Sequence, residues 1–594
     1  MLSRTVLAAA LALSVAVPFS SPAFAQVTAD VGNDANEALK SLYSSEWEWR
    51  QQELAIGEGG TRGPGADRLA KVDAASQARR LAYWEKTLAT LNTIDVSQLS
   101  PEEKINASVF RHSIESFIAR GKAQDYQAPM AAGASFWARL APRAGFRNAA
   151  EYRAYISRMR DIPRFFDEQT VNMRTGLARG FTAPQAAIVG REKTIEPFAN
   201  PDAEANPFYG AFRQMPTSIP AAEQEALRAE GKAAIEQAVA PAYAKLLPFI
   251  RDEYIPGARK TLAAEQLPDG KTYYQARIRE YVTYDWTAEE IHQIGLKEVA
   301  RIRAEMEVVM RKAGWTGDFA GFLQFMKTDE QFVAKTPYEL IAKTTYIINT
   351  VNGKIGQTIG LLPRFRFTIL PTPAAIAPFG TGGNGGLDSC VFNTYNLPAR
   401  KLYTLPALAV HECMPGHSFQ AALAMEGPDR PDFRRSTYFS GYGEGWGLYT
   451  EWLGIGMGVY ETPYEDFGRL TYEMWRAARL VIDTGVHHYG WSREKAIDYL
   501  ASNTALADHE VGTEIDRYIS EPGQALAYKI GEMLIRRKRA EAEAKLGAKF
   551  DQRWFHDVFL ALGSVPLPVL EQELDAWIAA GGPNPNAEPD ASAD

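Results

Sequence analysis

The most informative segment of the chain places two histidines on either side of a glutamate and a Pro-Gly pair. It spans residues 411–417, with the sequence His-Glu-Cys-Met-Pro-Gly-His. Histidine is scarce elsewhere, because only eight occur among 594 residues. Imidazoles beside a glutamate are the groups that bind Zn²⁺ and activate a water molecule on it. The segment therefore predicts a metal site with His411 and His417 as ligands and Glu412 as the general base.

The spacing of the two histidines differs from that of ordinary zinc helices. A residue at i+4 lies about 40° away around a helix axis, whereas a residue at i+6 lies about 240° away. Pro415 lacks an N–H, so the carbonyl of His411 loses its helical partner, and Gly416 tolerates unusual dihedral angles. We therefore expect a bulge that absorbs two residues and returns His417 to the face of His411. The alternative is a helix that ends at Met414, with His417 on the surface at the start of the next element.

A third metal ligand is expected downstream, in the segment of residues 443–451. Glu444 and Glu451 are seven residues apart there, so they project from the same face of a helix. We favour Glu444 as the ligand and Glu451 as the acceptor for a histidine N–H, because ligating imidazoles usually need such a partner. The alternative is a solvated acidic face, which the neighbouring Trp446 and Leu448 disfavour because they indicate a buried helix.

The elements that must position these residues are mostly helices. Residues 33–360 show one helical pattern after another, and Thr287 with Glu290 forms a typical capping box. Residues 361–396 differ, because prolines, an alternating apolar segment and a run of glycines predict a small sheet with a mobile glycine loop. Helical patterns then resume up to Gly581.

The segment Cys390–Tyr395 lies just before the predicted zinc helix. We expect it to be an edge strand that pairs with the substrate backbone, so Asn393 and Tyr395 are predicted substrate contacts. Cys390 and Cys413 are the two cysteines of the chain, and a disulfide between them would fasten this strand to the helix. Whether their Cα atoms lie within reach does not follow from the sequence.

The composition limits the class of protein. There are 64 lysines and arginines against 72 aspartates and glutamates, for a net charge of −8. This balance argues against a nucleic-acid partner. Hydrophobic residues make up 46% of the chain and charged residues 23%, which is typical of a globular protein.

The first 25 residues have the pattern of a secretory signal peptide. Arg4 precedes an apolar run from Val6 to Val17, and Ala23-Phe24-Ala25 predicts cleavage before Gln26. The alternative, a retained membrane anchor, is disfavoured because the run is short for a bilayer. No other segment of about 20 apolar residues occurs, so we expect a periplasmic or secreted protein without membrane contact after cleavage.

Four motifs together resemble the bacterial domain-of-unknown-function 885 family. They are His411-Glu-x-x-Pro-Gly-His417 with Gln420, Glu444-Gly-Trp-Gly-Leu-Tyr-x-Glu451, Asp483-Thr-Gly-Val-His487 and Arg517-Tyr518-Ile-x-x-Pro522-Gly-Gln-Ala-Leu-Ala-Tyr528-Lys529-x-Gly531. That family in turn resembles the gluzincin metallopeptidases, such as angiotensin-converting enzyme, carboxypeptidase Taq and dipeptidyl peptidase III. The longer insertion between the two histidines is a departure from the usual gluzincin pattern.

The resemblance implies roles for residues beyond the metal ligands. By analogy with those peptidases, His487 and Tyr528 would stabilise the oxyanion, with Tyr518 as a second candidate tyrosine. Arg517 or Lys529 would hold a peptide's terminal carboxylate by charge-assisted hydrogen bonds, which would make the enzyme an exopeptidase. The alternative for these two cations is a structural ion pair with nearby carboxylates.

The resemblance also implies a mainly α fold, a gluzincin-like two-lobed helical cleft with a small β-sheet beside the zinc helix. The predicted organisation is a signal peptide at 1–25, an N-terminal helical lobe at 26–360, a catalytic zinc-binding lobe at 361–580 that is continuous with it, and a disordered tail at 581–594.

The predicted function is that of an exported zinc metallopeptidase acting on short peptides, with one Zn²⁺ per chain. A His/His/Glu site also accepts Co²⁺ or Mn²⁺. One alternative is a zinc-dependent amidase, isopeptidase or esterase that acts on a cell-wall-derived or other non-peptide substrate. A second alternative is a non-catalytic periplasmic binding protein, which the presence of Glu412 disfavours. The sequence does not indicate the oligomeric state.

Overall fold

The chain folds into a mainly helical structure with one small sheet, which confirms the predicted fold class. None of the described helices is long and apolar enough to cross a membrane. The predicted signal peptide lies outside the described residues, as do residues 588–594 of the predicted tail. The computed structural model describes residues 35–55, 66–132, 135–142, 145–374, 377–379 and 381–587.

The helices are distributed along the whole described chain. Before the sheet they are α1 (Ala35–Glu53), α2 (Ala74–Leu91), α3 (Pro101–Ala123), α4 (Ala149–Arg179), α5 (Gln185–Ile188), α6 (Gly210–Arg213), α7 (Ala221–Ala234), α8 (Ala240–Pro248), α9 (Ile255–Gly257), α10 (Gly270–Val282), α11 (Ala288–Lys312), α12 (Phe319–Thr328) and α13 (Pro337–Asn352). After it they are α14 (Leu405–Glu412), α15 (His417–Glu426), α16 (Asp432–Ser436), α17 (Ser440–Gly456), α18 (Pro463–His487), α19 (Arg493–Asn503), α20 (Asp508–Ser520), α21 (Ala527–Leu546), α22 (Gln552–Ala561) and α23 (Leu567–Ala579).

Helix α18 is the central element of the fold, and nearly all of its side chains are buried. It begins with a capping box made by Thr462 and Glu465, in which each side chain accepts a hydrogen bond from the backbone N–H of the other residue. Helix α11 packs along it and begins with the predicted capping box of Thr287 and Glu290, which is confirmed. A second close pair, α17 and α21, packs beside them. These four helices form the frame that positions the predicted site.

The sheet has three strands: β1 (Thr368–Pro371), β2 (Gly383–Gly385) and β3 (Ser389–Phe392). Strand β3 lies in the middle, parallel to β1 and antiparallel to β2. The prediction that the segment around Cys390 is an edge strand is therefore wrong, because both of its edges already pair with strands of this chain. Part of the predicted glycine loop forms β2, which is an edge strand.

A disulfide joins Cys390 in β3 to Cys413 at the end of α14, with the two Cα atoms 5.7 Å apart. Both cysteines are fully buried. The covalent bond therefore fixes the sheet against the end of the helix that carries His411 and Glu412.

Buried side chains of the described residues form three clusters. The first draws on residues between Leu39 and Ile578, and the third on residues between Ala132 and Ala525. The second lies within the N-terminal part, between Leu69 and Ala258. Two of the clusters thus contain residues from both sides of position 360, and the predicted lobe boundary there stays a prediction. Most of residues 581–587 are exposed, and within this segment Asn586 donates a hydrogen bond to Asp557.

Candidate metal centre

The two histidines of the 411–417 segment converge, but not through a bulge. Helix α14 ends at Glu412, and α15 begins at His417, so a helix break replaces the predicted bulge. The break is tight, because a Cβ on Gly416 would lie 1.8 Å from the carbonyl oxygen of His411. Only glycine fits at this close approach. Trp446 donates a hydrogen bond of 2.8 Å to the carbonyl of Pro415 and holds the turn against α17.

Glu444, on the first turns of α17, lies against both rings. Its Oε2 is 3.7 Å from Nε2 of His411 and 3.3 Å from Nε2 of His417. One ligand atom from each of these residues lies within 4.8 Å of the others. Within the described part of the chain, this is the one group of histidine, cysteine and acidic side chains with such convergence. Two imidazole nitrogens and one carboxylate oxygen form a donor set that fits Zn²⁺ and leaves a position for water.

Glu451 supports the first of these histidines from behind. Its Oε1 lies 2.8 Å from Nδ1 of His411, so this carboxylate accepts the N–H of a ring whose Nε2 faces the metal position. Gly447 lies between the two glutamates on α17, and a Cβ there would be 2.7 Å from Cε1 of His411. The ring of His411 therefore rests directly on the backbone of α17, at a point where no side chain fits.

The charges around His411 favour a cation. Burial lowers the pKa of its imidazole, but the carboxylates of Glu444 and Glu451 outweigh this effect and raise it to about 9. Burial raises the pKa of Glu444, and its hydrogen bonds with His411 and His417 outweigh that and hold it well below its usual range. The carboxylates therefore favour a positive charge here, and a metal ion bound at this position would take the place of the imidazole proton.

The three side chains open into a cavity of about 970 Å³. Glu412 lies in the same wall, and its Oε2 accepts a hydrogen bond of 2.9 Å from the backbone N–H of Gly385 in β2. The glycine-rich edge strand therefore orients the carboxylate that follows the first histidine. A cavity of this size accommodates a ligand of a few residues.

Three other predicted residues line this cavity: Tyr528, Arg517 and Tyr395. Arg517 lies 3.7 Å from Glu514 and 3.7 Å from Glu521, so it also forms the ion pairs of the structural alternative. One of its nitrogens is 3.4 Å from the hydroxyl of Tyr528. The side chain of Tyr395 is exposed at the cavity mouth.

Four residues that were predicted to face the substrate are absent from the described cavity wall. The Nδ1 of His487 accepts a hydrogen bond from the N–H of Ala264, while its Nε2 donates to the carbonyl of Tyr518. Both ring nitrogens are thus occupied by backbone, and burial lowers the pKa of this histidine to about 3. His487 is a structural residue, which corrects the role that the resemblance implied for it.

The other three are also held by internal partners. The hydroxyl of Tyr518 accepts hydrogen bonds from Trp475 and Arg479. The ammonium of Lys529 is fully buried among three glutamates, and the nearest, Glu532, is 2.8 Å away. The buried amide of Asn393 donates to a backbone carbonyl next to the sheet. These contacts place Tyr518, Lys529 and Asn393 in the core, so their predicted contacts with substrate are corrected.

Several cavity residues were not predicted from the sequence. Gln420 on α15, Tyr438 just before α17, and Arg476 and Arg479 on α18 all line the wall. The sequence does carry a signal for the arginine pair, because these two arginines interrupt the otherwise apolar stretch of residues 474–482. Buried arginines need a partner or a function. Tyr438 had no such signal, since nothing in its neighbourhood distinguishes it from a surface tyrosine.

The fold and the site define a mainly helical protein with a candidate His/His/Glu metal centre in a deep cavity. The chain belongs to the DUF885 family, described as bacterial protein of unknown function, whose family model matches residues 53–574. No curated protein matches the sequence.

Two solved structures have a similar fold. The first is a "putative lipoprotein" from Colwellia psychrerythraea, with a TM-score of 0.83 and 25% identity over 92% of this chain and 100% of that one. The second is a "putative lipoprotein of unknown function" from Shewanella oneidensis, with a TM-score of 0.66 and 18% identity over 91% of this chain and 99% of that one. The similarity to the Shewanella protein concerns the fold alone.

Proposed function

We propose that the protein is an exported, zinc-dependent hydrolase that cleaves short peptides. The observation that carries this proposal is the convergence of His411, His417 and Glu444 in the wall of a large cavity, with Glu412 beside them. A binding protein that needs the ion only for affinity does not require a further carboxylate at this position. The resemblance to gluzincin peptidases supports the same chemistry and belongs to the proposal.

The residues of the chain have distinct tasks in such a reaction. His411, His417 and Glu444 would hold the ion, which polarises a carbonyl and lowers the pKa of a bound water when present. Glu412 would accept a proton from the attacking water and pass it to the leaving amine, and its carboxylate is oriented by the N–H of Gly385. Tyr528 lines the cavity and is the hydroxyl that we assign to the oxyanion.

The size of the cavity supports short substrates. Its wall is made by helices and by the glycine strand, and about 970 Å³ leaves no room for a folded protein. Export is supported by the signal-peptide pattern of the first 25 residues and by the Cys390–Cys413 disulfide, which is typical of oxidising compartments. The description of the Colwellia protein as a "putative lipoprotein" also fits an exported chain.

The test begins with elemental analysis of the purified protein. We expect about one zinc per chain. The variants His411→Ala and Glu444→Ala should lose it, whereas His488→Ala should retain it, because His488 pairs with Glu265 outside the described cavity wall. Absence of metal from the wild type after zinc is added back would contradict the proposal.

Glu412→Gln separates catalysis from metal binding. The amide cannot accept the proton, so we expect zinc to be retained while hydrolysis of a mixed peptide library falls by at least about a hundredfold. A fully active Glu412→Gln enzyme would exclude this mechanism. If the wild type binds zinc but cleaves ester or amide substrates and no peptides, the alternative of a zinc-dependent amidase, isopeptidase or esterase replaces the peptidase.

A further inference from the structure

Two arginines on α18 lie one helical turn apart in the wall of the metal cavity. Arg476 and Arg479 are 4% and 2% exposed, so both guanidinium groups are buried. Both face Tyr528: the guanidinium carbon of Arg479 is 4.3 Å from the centre of its ring, and that of Arg476 is 6.0 Å away. Arginine and tyrosine therefore form one continuous patch of the wall, here called the arginine patch.

The arginine patch adjoins the metal centre. A nitrogen of Arg476 lies 3.5 Å from Oε1 of Glu451, which is the oxygen that holds His411. Arg476 is thus separated from a metal ligand by a single carboxylate. A group bound at the patch would therefore lie close to a substrate held at the candidate metal centre.

The patch has hydrogen-bonding capacity that the described residues do not use. Arg479 donates through Nε to Tyr518 and through Nη2 to Glu514, but its buried Nη1 has no partner among the described residues. The buried Nε of Arg476 likewise has none within the described chain. Unsatisfied buried donors are uncommon in proteins, and they carry a cost of desolvation unless a ligand or water satisfies them.

The charge of the cavity points to the kind of ligand. The residues described in its wall include seven arginines and four glutamates, with no lysine or aspartate, in a chain whose net charge is −8. Glu514 is shared between Arg479 and Arg517 and cannot neutralise both. Burial and the nearby Glu514 raise the pKa of Glu510 to about 7, which reduces the negative charge further. The side chains of the cavity wall therefore carry a net positive charge without any contribution from a metal ion.

We propose that Arg476 and Arg479, which lie beside Tyr528, bind a carboxylate of the substrate next to the candidate metal centre. This inference rests on the proposed hydrolase function for the nature of the ligand. It narrows the substrates to short peptides with a carboxylate near the cleaved bond, either at the C-terminus or on an aspartate or glutamate side chain. Guanidinium groups suit this role because they bind carboxylates by charge-assisted hydrogen bonds in a fixed geometry.

The binding test needs no catalysis. The full-length protein is freed of metal with a chelator and titrated calorimetrically with N-acetylalanine, with its neutral amide, and with N-acetylaspartate α-amide. We expect at least one of the two acids to bind about tenfold more tightly than N-acetylalaninamide, since a hydrogen bond to a charged group is worth that much. The acid that binds shows whether the carboxylate is terminal or on a side chain. Equal affinity for all three compounds would overturn the proposal.

Variants locate the binding to the patch. Arg479→Lys and Arg476→Lys keep the charge but lose the unpartnered nitrogens, so each should abolish most of the tenfold preference. The matched control is Arg435→Lys, since Arg435 also lines the cavity but is half exposed and pairs with Asp432. An equal loss of the tenfold preference in Arg435→Lys would contradict the assignment of carboxylate binding to Arg476 and Arg479. Circular dichroism identifies a variant that has unfolded. In that case the affinities of the wild type for the two acids and the neutral amide decide whether the carboxylate site exists.

The outcomes separate this proposal from the proposed function. If the acids bind selectively and no peptide is hydrolysed after zinc is restored, the carboxylate site stands and the hydrolase function fails. If peptides are hydrolysed equally well with a free and an amidated carboxylate, the hydrolase function stands and the carboxylate site fails.

Discussion

The position of His411 depends on a residue that has no side chain. Gly447 of α17 lies under the imidazole, and a Cβ there would meet Cε1 at 2.7 Å, which is too close for any carbon pair. Gly447→Ala should therefore displace the ring from Glu451 and from the metal position. We expect zinc affinity to fall about 10–100-fold, as for other changes that disturb the support of a metal ligand. Competition with a zinc-binding dye measures this.

The same helix supplies the control. A Cβ on Gly456, at the last turn of α17, would meet nothing within 4 Å. Gly456→Ala should leave zinc affinity unchanged, because it makes the same chemical change far from the ring. Unchanged affinity in Gly447→Ala would show that His411 is not positioned by contact with α17.

At this scale the sequence predicted most of the metal centre and little of the wall around it. The residues of the 411–417 segment and Glu444 carry strong local signals, since histidines and a glutamate at short spacing have few other uses. Arg476 and Arg479 give only a weak indication of a site, because an arginine within an apolar stretch of helix does not show which residues of other elements it contacts. The role predicted for His487 differs from the structure, because the sequence does not distinguish a histidine held by backbone groups from one in an active site.

The elements that hold the centre are a pair of short helices, an edge strand and a disulfide. Cys413 directly follows α14, and its bond to Cys390 closes a loop across 23 residues of sequence. A loop of this length is expected to contribute about 3 kcal/mol by lowering the entropy of the unfolded chain. The loop contains most of β3 and the whole of α14, so the bond constrains the elements that present His411 and Glu412.

Replacement of both cysteines by serine tests this contribution. We expect the free energy of unfolding to fall by about 3 kcal/mol, because the unfolded chain regains its freedom while the native contacts remain. Denaturant unfolding of the double variant beside the wild type measures the change, and the wild type under reducing conditions should match the variant. An unchanged midpoint would mean that the loop is already constrained in the unfolded state.

Most helices and strands were predicted from the sequence, whereas the strand order and the break between α14 and α15 were not. Helical periodicity and caps such as Thr287 with Glu290 are local, so the predicted fold class is confirmed. The central place of β3 depends on its pairing with β1, in which Thr368 lies opposite Ser389, 21 positions further along the chain. The sequence around Cys390 therefore predicted a strand correctly, but placed it at the edge of the sheet and not in the middle. Pro415 and Gly416 predicted a disruption of the helix, but they did not show whether it is a bulge or the break between α14 and α15 that the structure has.

On the scale of the whole molecule, buried histidines join distant parts of the chain. His487 bonds to Ala264 and Tyr518, and His556 bonds through Nδ1 to the carbonyl of Thr358 and through Nε2 to the hydroxyl of Tyr449. The contacts of His487 require a neutral ring, because Nε2 donates to a carbonyl while Nδ1 accepts from a backbone N–H. His556 donates to a carbonyl through Nδ1, and burial favours the neutral ring, whose Nε2 accepts from the hydroxyl of Tyr449. The two rings thus connect segments on both sides of position 360.

This requirement makes the stability of the protein depend on pH. Burial lowers the pKa of His487 and of His556 to about 3, against about 6.5 for an unfolded histidine. The stabilisation from each ring is fully present above the unfolded pKa and is lost as the pH falls toward 3. Buried acids oppose this trend. Burial raises the pKa of Asp483 and of Glu510 to about 7, so the stability from these groups is lost as the pH rises toward 7.

The effects of the buried histidines and of the buried acids fall in overlapping pH ranges. The pH dependence of the wild type's stability therefore does not show the contribution of the histidines alone, and a variant is needed. His556→Gln can retain a donor and an acceptor but does not titrate. We expect the wild type to be more stable at pH 7, and the difference in free energy of unfolding to narrow by about 1.4 kcal/mol for each pH unit between 6 and 4. Denaturant unfolding at several pH values measures this difference, and the acids contribute equally to both proteins. A difference that stays constant with pH would show that His556 is already protonated in the folded state, and that its Nε2 does not accept a hydrogen bond from the hydroxyl of Tyr449.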